Sequence, residues 1–197
     1  MNTARLLCLL VALVFGSAAA TAQVSPKKMQ CLQQALSELN RFETEFKQET
    51  YSDFFDPTLA TGMLKVERPG KMRMDYRQGE RKHVIWDGVT CYERDEMADT
   101  ETRTPQSDIQ SQPLVRLLLY GEKLTTYFIV RNGNSLDSKS YQLAPRGGGD
   151  YLIELELGAD CRPKYLDILF EDGEGTRFWF KQIEKRDSFP ATTFVVP

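Results

Sequence analysis

Histidine is almost missing from this sequence, which has 197 residues and a single histidine, His83. Catalytic triads need a histidine base placed beside a nucleophile. His83 falls in a predicted strand next to a hairpin turn, where we expect an ordinary surface or edge residue. No spacing among the many carboxylates singles out an acid–base pair either, so the sequence predicts a protein that is not an enzyme.

The sequence has no excess of basic residues, since 25 Lys and Arg stand against 28 Asp and Glu, for a formal charge of −3. Proteins that bind nucleic acids display a basic face, so no nucleic-acid partner is expected. Two loop segments also lack the residues of a cofactor site. Gly147–Gly149 has no P-loop lysine after it, and Asp172–Gly175 lacks the ligand ladder of a calcium loop. We therefore expect no cofactor.

Long apolar runs are confined to the start of the chain. Arg5 precedes the apolar run Leu6–Phe15, and Ala20-Thr21-Ala22 offers a small-x-small cleavage site. The run is shorter than the roughly 20 residues of a membrane-spanning helix. We expect residues 1–22 to be a cleaved signal peptide, with an uncleaved anchor as the alternative, and residues 23–197 to form a single exported domain.

Cysteines are few, and three of them, Cys31, Cys91 and Cys161, follow the predicted cleavage site. An exported protein sits in an oxidising compartment, so one disulfide and one free thiol are expected. Sequence alone leaves all three pairings open. A zinc site is less expected, because these cysteines are about sixty and seventy residues apart and only one histidine is present.

What the chain does contain is apolar–polar alternation of period two, which is typical of half-buried strands. After an extended stretch from Phe42 to Tyr51, it predicts these strands: Gly62–Arg68, Lys71–Tyr76, His83–Trp86, Val89–Glu93, Tyr127–Arg131, Ser140–Ala144, Tyr151–Leu157, Tyr165–Phe170, Thr176–Ile183 and a last one containing Phe194 and Val196. Met97–Gln112 shows no apolar periodicity and is predicted to be a loop.

Helical signals occur in two places. Ser25 can cap a helix that has Met29, Leu32, Leu36 and Leu39 at helical spacing. Pro113–Tyr120 has proline at its start and glycine after it, which predicts a short second helix. About ten antiparallel strands in one sheet must curl or close. The apolar faces would then line a concave interior, and the two helices are the elements available to cover it.

The strand pair around Arg68 is unusual. Leu64 and Val66 share the apolar face, and the next residue on that face is Arg68. Burying an unpaired guanidinium is costly, so Arg68 requires either an open interior or a specific partner such as the carbonyls at the end of a covering helix. The inner face is predicted to consist of Leu64, Val66, Met72, Met74, Tyr76, Ile153, Leu155, Leu157, Phe178 and Phe180. A packed core is the alternative interpretation of that face.

A series of motifs covers nearly all of the chain after the signal peptide. It comprises Phe42-x-x-x-Phe46-x-Gln48, the block from Gly62-x-Leu64-x-Val66-x-Arg68-Pro69-Gly70 to Tyr76, Asp87-Gly88, the helix Pro113–Leu118, Leu143-x-Pro145, Asp172-Gly173 and the ending Phe194–Pro197. This series resembles the LolA family of periplasmic outer-membrane lipoprotein carriers. The Gly-x-Leu-x-Val-x-Arg-Pro-Gly block is its most specific part.

The resemblance implies an α+β fold that is mainly antiparallel, an unclosed half-barrel of about eleven strands with helices as a lid. It implies a monomeric chaperone of the Gram-negative periplasm with the inner face as an acyl-chain cavity. Its partners would be acylated lipoproteins, an inner-membrane ABC exporter that releases them, and an outer-membrane acceptor. Neither a cofactor nor catalysis is implied.

Individual residues also acquire expected roles from the resemblance. Arg68 matches an arginine that bonds the lid helices in the closed form, and Met72 falls where a large apolar residue is usual near the cavity mouth. The lid helix would present Pro113, Leu114, Leu117 and Leu118. Because acceptors and envelope-stress sensors share this fold, a lipid- or lipoprotein-binding sensor or acceptor module is the alternative function.

Overall fold

A computed structural model describes residues 24–133 and 139–197 of the chain. The predicted signal peptide, residues 1–22, lies outside the described residues. Among these residues, no helix is both long and apolar enough to cross a membrane.

In the described ranges, the architecture is one antiparallel sheet with three α-helices and one 3-10 helix. The sheet order is β6-β5-β4-β3-β2-β1-β11-β10-β9-β8-β7, and the short β12 pairs with β1 beside β11. The strands are β1 Arg41–Tyr51, β2 Thr58–Glu67, β3 Lys71–Gln78, β4 Lys82–Asp87, β5 Thr90–Asp95, β6 Thr100–Pro105, β7 Phe128–Asn132, β8 Lys139–Pro145, β9 Tyr151–Leu157, β10 Pro163–Phe170, β11 Gly175–Phe180 and β12 Glu184–Lys185.

The sheet does not close. Within the described residues, β6 pairs only with β5 and β7 only with β8, so these two strands are its edges. The predicted fold class, an unclosed and mainly antiparallel sheet of about eleven strands, is thereby confirmed.

Strand register aligns the apolar side chains into rows on one face. Phe42 lies opposite Val66, Val66 opposite Met72, and Met72 opposite Trp86. Directly opposed residues of antiparallel strands share a face, so these four side chains form one row across β1–β4. A second row on the same face begins with Leu64 opposite Met74. The alternation that predicted the strands therefore also predicted this inner face.

Two helices lie where the sequence placed them. Helix α1 is Pro26–Ser37, and Ser25 caps it by accepting a hydrogen bond from the backbone N–H of Lys28 at 3.4 Å. Helix α2 is Pro113–Tyr120, and Gly121 ends it in the left-handed conformation with a φ of 68°. Glycine takes this conformation without the steric cost that a side chain would add. A third helix, α3 Leu124–Tyr127, has only one turn and no periodicity from which to predict it.

The prediction of a loop over Met97–Gln112 was wrong. Strand β6 forms there, followed by a 3-10 helix at Gln106–Asp108. All six side chains of β6 are exposed at the edge of the sheet. No apolar residue is therefore needed in the strand, and the alternation that marks half-buried strands is missing.

The predicted last strand with Phe194 and Val196 is also wrong. The backbone N–H of Thr193 donates to the carbonyl oxygen of Pro190 at 2.9 Å, which forms a turn and not a strand pair. Phe194 is buried and packs edge-to-face on Phe189, with ring centroids 5.5 Å apart. Phe194 is therefore apolar because it is buried in a turn. Apolar–polar alternation along the sequence does not distinguish such a turn from a strand.

A disulfide joins helix α1 to the sheet. Cys31 in α1 bonds Cys161 in the β9–β10 connection, and Cys91 in β5 is a free thiol. This resolves the three pairings that the sequence left open. The crosslink holds α1 against the concave side of β8–β10, where Leu32 and Leu36 are buried in the main core.

Candidate functional site

An apolar cavity lies between the helices and the concave face of the sheet. Eighteen residues line it, and Arg68 is the one that is not hydrophobic: Leu36, Leu39, Phe42, Leu64, Val66, Arg68, Met72, Leu114, Leu117, Leu118, Leu119, Leu143, Ile153, Leu155, Pro163, Leu166, Phe180 and Ile183. Its volume is about 100 Å³. Pockets for large ligands are typically about 300–1,000 Å³. The cavity in this closed form is therefore smaller than such a ligand requires.

Six of the ten residues predicted for the inner cavity line this space: Leu64, Val66, Met72, Ile153, Leu155 and Phe180. The other four lie on the same face outside it. Leu157 is buried in the main core, Met74 sits opposite Leu64 and Val84, and Phe178 stacks on Phe180 with centroids 6.1 Å apart.

Tyr76 belongs to an aromatic cluster next to Phe180, which is one of the residues that line the cavity. Phe46 contacts both Tyr76 and Phe178 edge-to-face, at centroid distances of 5.3 and 6.0 Å. The hydroxyl of Tyr76 donates to Gln48 Oε1 at 2.7 Å. Burial raises the pKa of this phenol, so it stays protonated and donates this bond. Aromatic packing therefore continues from Phe180 through Phe178 and Phe46 to Tyr76.

Helix α2 contributes Leu114, Leu117 and Leu118 to the cavity, whereas Pro113 starts the helix and does not line the space. Sequence reasoning missed the contributions of Leu36 in α1 and of Leu39, two residues after α1. Both fit the helical spacing, but the position of α1 over the cavity depends on tertiary contacts that periodicity does not reveal.

Arg68 connects the two helices. Its Nη1 donates to the carbonyl oxygen of Leu36 in α1 at 2.7 Å, its Nε to that of Leu118 in α2 at 2.9 Å, and its Nη2 to that of Leu117 at 3.2 Å. The last carbonyls of a helix have no partner within the helix and lie at its negative end, so a cation is well placed there. We call α1 and α2 the lid, and these three bonds the Arg68 latch.

The electrostatic setting of Arg68 is unusual for a guanidinium. Among the described residues it has no carboxylate partner, and burial lowers its pKa to about 10. Because the charge is compensated only by carbonyl dipoles, losing them to movement of the lid would leave it poorly paired. The three bonds therefore tie the last turns of α1 and α2 to one buried cation.

Gln106 fixes the end of α2 against the rim of the sheet. This side chain is almost fully buried, and its Nε2 donates to the carbonyl oxygen of Gly70 at 2.7 Å and to the hydroxyl of Tyr120 at 3.1 Å. Its Oε1 accepts from the backbone N–H of Gly88 at 3.1 Å. A further bond joins the N–H of Gly70 to the carbonyl of Leu119 at 2.9 Å. Because the sequence predicted a loop over Met97–Gln112, it did not indicate that Gln106 makes these hydrogen bonds.

His83 is not among the residues that line the cavity. Its Nδ1 is 2.9 Å from Asp75 Oδ1, and its Nε2 is 3.5 Å from Glu96 Oε1. In the described part of the chain, no group of three or more His, Cys, Asp or Glu side chains is arranged to hold a metal ion.

Comparison with known proteins identifies a family and a relative that match most of the chain. Residues 37–197 match the family model described as outer membrane lipoprotein carrier protein LolA. An outer-membrane lipoprotein carrier protein from Dechloromonas aromatica (strain RCB) is 24% identical over 165 residues, which cover 81% of this chain and 78% of that protein.

Solved structures with a similar fold include three from other bacteria. A LolA superfamily protein from Nitrosomonas europaea has a TM-score of 0.46 and 10% identity, covering 89% of this chain and 99% of that chain. The MucA/MucB complex of Pseudomonas aeruginosa gives 0.48 and 19%, with coverages of 87% and 60%. The lipoprotein LppX of Mycobacterium tuberculosis gives 0.48 and 6%, with coverages of 84% and 99%. At these identities the likeness concerns the fold alone.

The family match and the distant carrier relative together support a lipoprotein-binding module of the LolA superfamily. The family consists of periplasmic carrier or binding proteins of Gram-negative bacteria and not of enzymes. Because its model spans most of the chain, this protein belongs to the LolA family of outer membrane lipoprotein carrier proteins.

Proposed function

We propose that this protein is a periplasmic carrier that shields the acyl chains of lipoproteins between the inner and the outer membrane. The observation that carries this proposal is the cavity, whose lining is apolar at every position except Arg68. An acyl chain has no polar group along its length, so such a lining matches it without requiring specific hydrogen bonds. Met72 adds a flexible thioether side chain that adapts to ligands of varied shape.

The energetics require the lid to move. Burying one methylene group is worth about 0.8 kcal/mol, so a sixteen-carbon chain could gain on the order of 10 kcal/mol. The closed cavity of about 100 Å³ is too small to receive such a chain. Loading therefore displaces α1 or α2 and breaks bonds of the Arg68 latch, which offsets about 2–3 kcal/mol of the gain. Burial of the acyl chain favours binding and loss of the Arg68 bonds opposes it, so the carrier binds its cargo and still releases it.

The proposed cycle needs two membrane partners. An ABC exporter of the inner membrane would release lipoproteins to the carrier, and an acceptor lipoprotein of the outer membrane would receive them. The carrier itself would act as a monomer after removal of residues 1–22. Support comes from the family match, the carrier relative and the apolar run that predicts a signal peptide.

Transfer between membranes tests this function directly. The purified protein is incubated with inner-membrane vesicles that contain the exporter and a labelled lipoprotein, and the supernatant is then mixed with outer-membrane vesicles. A carrier yields a soluble complex with one lipoprotein and passes the label to the second vesicles. A soluble complex without transfer would instead favour a sensor or acceptor module, and absence of any complex would contradict lipoprotein binding.

A further inference from the structure

A second space lies beside the cavity, on the outer side of the lid. It is a groove of about 650 Å³ between α1 and the segment that joins α2 to α3. Most of the residues that line it have polar side chains: Gln30, Gln33, Gln34, Leu36, Ser37, Gly121, Glu122, Lys123, Leu124 and Thr125. This volume falls in the range of about 300–1,000 Å³ that is usual for ligand pockets. In this arrangement of the helices, the groove is therefore large enough for a ligand.

The α1 side of the groove is a continuous uncharged stripe. Gln30, Gln33, Gln34 and Ser37 follow the spacing i, i+3, i+4 and i+7, which places them along one face of the helix. Gln34 donates to Glu38 Oε1 at 2.8 Å. By contrast, the side-chain amides of Gln30 and Gln33 make no hydrogen bond to any described residue. Both amides are exposed and are free to bond a ligand.

On the opposite side of the groove, the segment between α2 and α3 carries one cation, the ammonium group of Lys123. Glu122 is already engaged, because it accepts hydrogen bonds from Arg116 and Tyr127. The Lys123 ammonium forms no ion pair with the part of the chain that the structure describes. The ligand therefore meets primary amides, hydroxyls and one ammonium group, beside the engaged carboxylate of Glu122 and the side chains of Leu36 and Leu124. Phosphate sites, by comparison, rely on arginine or on several clustered cations.

The groove and the cavity meet at the Arg68 latch. Leu36 lines both spaces, and its carbonyl oxygen accepts the bond from Arg68. Gly121, on the groove side, lies so close that a Cβ placed there would be 3.0 Å from Arg68 Nη1. A ligand with an apolar part in the cavity and a polar part outside would therefore lead its polar part past Leu36 into the groove.

From this geometry we propose that the groove binds the polypeptide segment directly after the acylated residue of the cargo. This inference rests on the proposed function. Side-chain amides both donate to backbone carbonyls and accept from backbone N–H groups, so Gln30 and Gln33 recognise an extended peptide whatever its side chains. A peptide-backbone site of this kind suits a carrier of many different lipoproteins. Lys123 favours segments that contain an acidic residue.

Calorimetric titration of the intact protein with three probes tests this assignment. The probes are an eight-residue peptide of Gly, Ser and one Asp with a palmitoylated first residue, palmitic acid, and dipalmitoyl phosphatidylglycerol. We expect the wild type to bind the palmitoylated peptide at least tenfold more tightly than palmitic acid. Because two neutral hydrogen bonds are worth about one order of magnitude in affinity, the double variant Gln30→Ala/Gln33→Ala should lose that difference and keep its affinity for palmitic acid.

Matched controls separate the groove from general effects. Gln78→Ala removes a glutamine that is also exposed, from β3 outside the groove, and should leave all three affinities unchanged. Alanine is a better helix former than glutamine, so α1 should stay folded in the double variant, which circular dichroism checks.

Two kinds of result would overturn the groove assignment while leaving the carrier function intact. One is equal affinity of the wild type for the palmitoylated peptide and palmitic acid, or a difference that the double variant retains. The other is a loss confined to phosphatidylglycerol, which would make the groove a lipid headgroup site. If the wild type binds none of the three probes, the proposed function fails as well.

Discussion

Arg68, directly after β2, donates a hydrogen bond of 2.7 Å to the carbonyl oxygen of Leu36 in the last turn of α1. The same guanidinium bonds two carbonyls of α2. One side chain in the β2–β3 turn thus bonds the ends of both helices beside the apolar cavity. We propose that these bonds keep the helices closed over it.

The disulfide should be a major source of stability. It links residues 130 positions apart, and closing such a long loop restricts the unfolded chain strongly. We expect Cys31→Ser/Cys161→Ser to lower the free energy of unfolding by about 2–4 kcal/mol, measured by guanidinium denaturation. Cys91→Ser changes the free thiol of β5 and serves as the control, with a smaller effect. Equal stability of the double variant and the wild type would show that the crosslink does not constrain the fold.

Gln106 should matter for stability although it lies in a region without apolar periodicity. In Gln106→Ala, the carbonyl of Gly70 and the N–H of Gly88 lose the partner that the amide supplied. An unsatisfied buried group costs about 1–3 kcal/mol, so we expect a loss of that size in urea denaturation. Gln78→Ala, an exposed site, should stay within about 0.5 kcal/mol of the wild type. The assigned role is wrong if both variants are equally stable.

Acid should destabilise the fold partly through Asp75. Burial raises the pKa of this carboxyl, but hydrogen bonds from Arg73 and His83 outweigh burial and leave the pKa below its ordinary value. The unfolded chain therefore takes up this proton at a higher pH than the folded protein. The contribution of Asp75 is fully present above an unfolded pKa of about 4 and is lost as the pH falls through the folded pKa.

The pH prediction is tested by comparing two unfolding series. In urea denaturation between pH 6 and pH 2, the stability of the wild type should fall more steeply below about pH 4 than that of Asp75→Asn. Asp53→Asn, in the exposed β1–β2 connection, is the matched control and should follow the wild type. Parallel curves for the wild type and Asp75→Asn would contradict a lowered pKa.

Sequence patterns predicted much of the fold because it depends on local alternation. The face shared by Leu64, Val66 and Met72 is a direct consequence of period-two geometry, and Arg68 could be recognised as misplaced for the same reason. Its bonds to Leu36, Leu117 and Leu118 depend on where two distant helices pack, which no local pattern encodes.

The wrong predictions have a common physical cause. Strand β6 is entirely exposed and thus carries no apolar signal, whereas Phe194 is apolar because a turn is buried. The pattern of apolar residues indicates which side chains are buried, and it indicates secondary structure only indirectly. The pairing of Cys31 with Cys161 likewise depends on the position of α1 against the β9–β10 connection.

The central claim is that the Arg68 latch limits how tightly the carrier holds its cargo, and the rate of lipoprotein transfer tests it most directly. Wild type, Arg68→Lys and Arg68→Leu are loaded with the same labelled lipoprotein and mixed with outer-membrane vesicles. Arg68→Leu cannot form the latch, so loading no longer breaks it. We predict normal loading and release slowed about 30-fold, equivalent to about 2 kcal/mol. Arg68→Lys, which keeps the charge, should release at an intermediate rate. Transfer from Arg68→Leu at the wild-type rate would contradict the account.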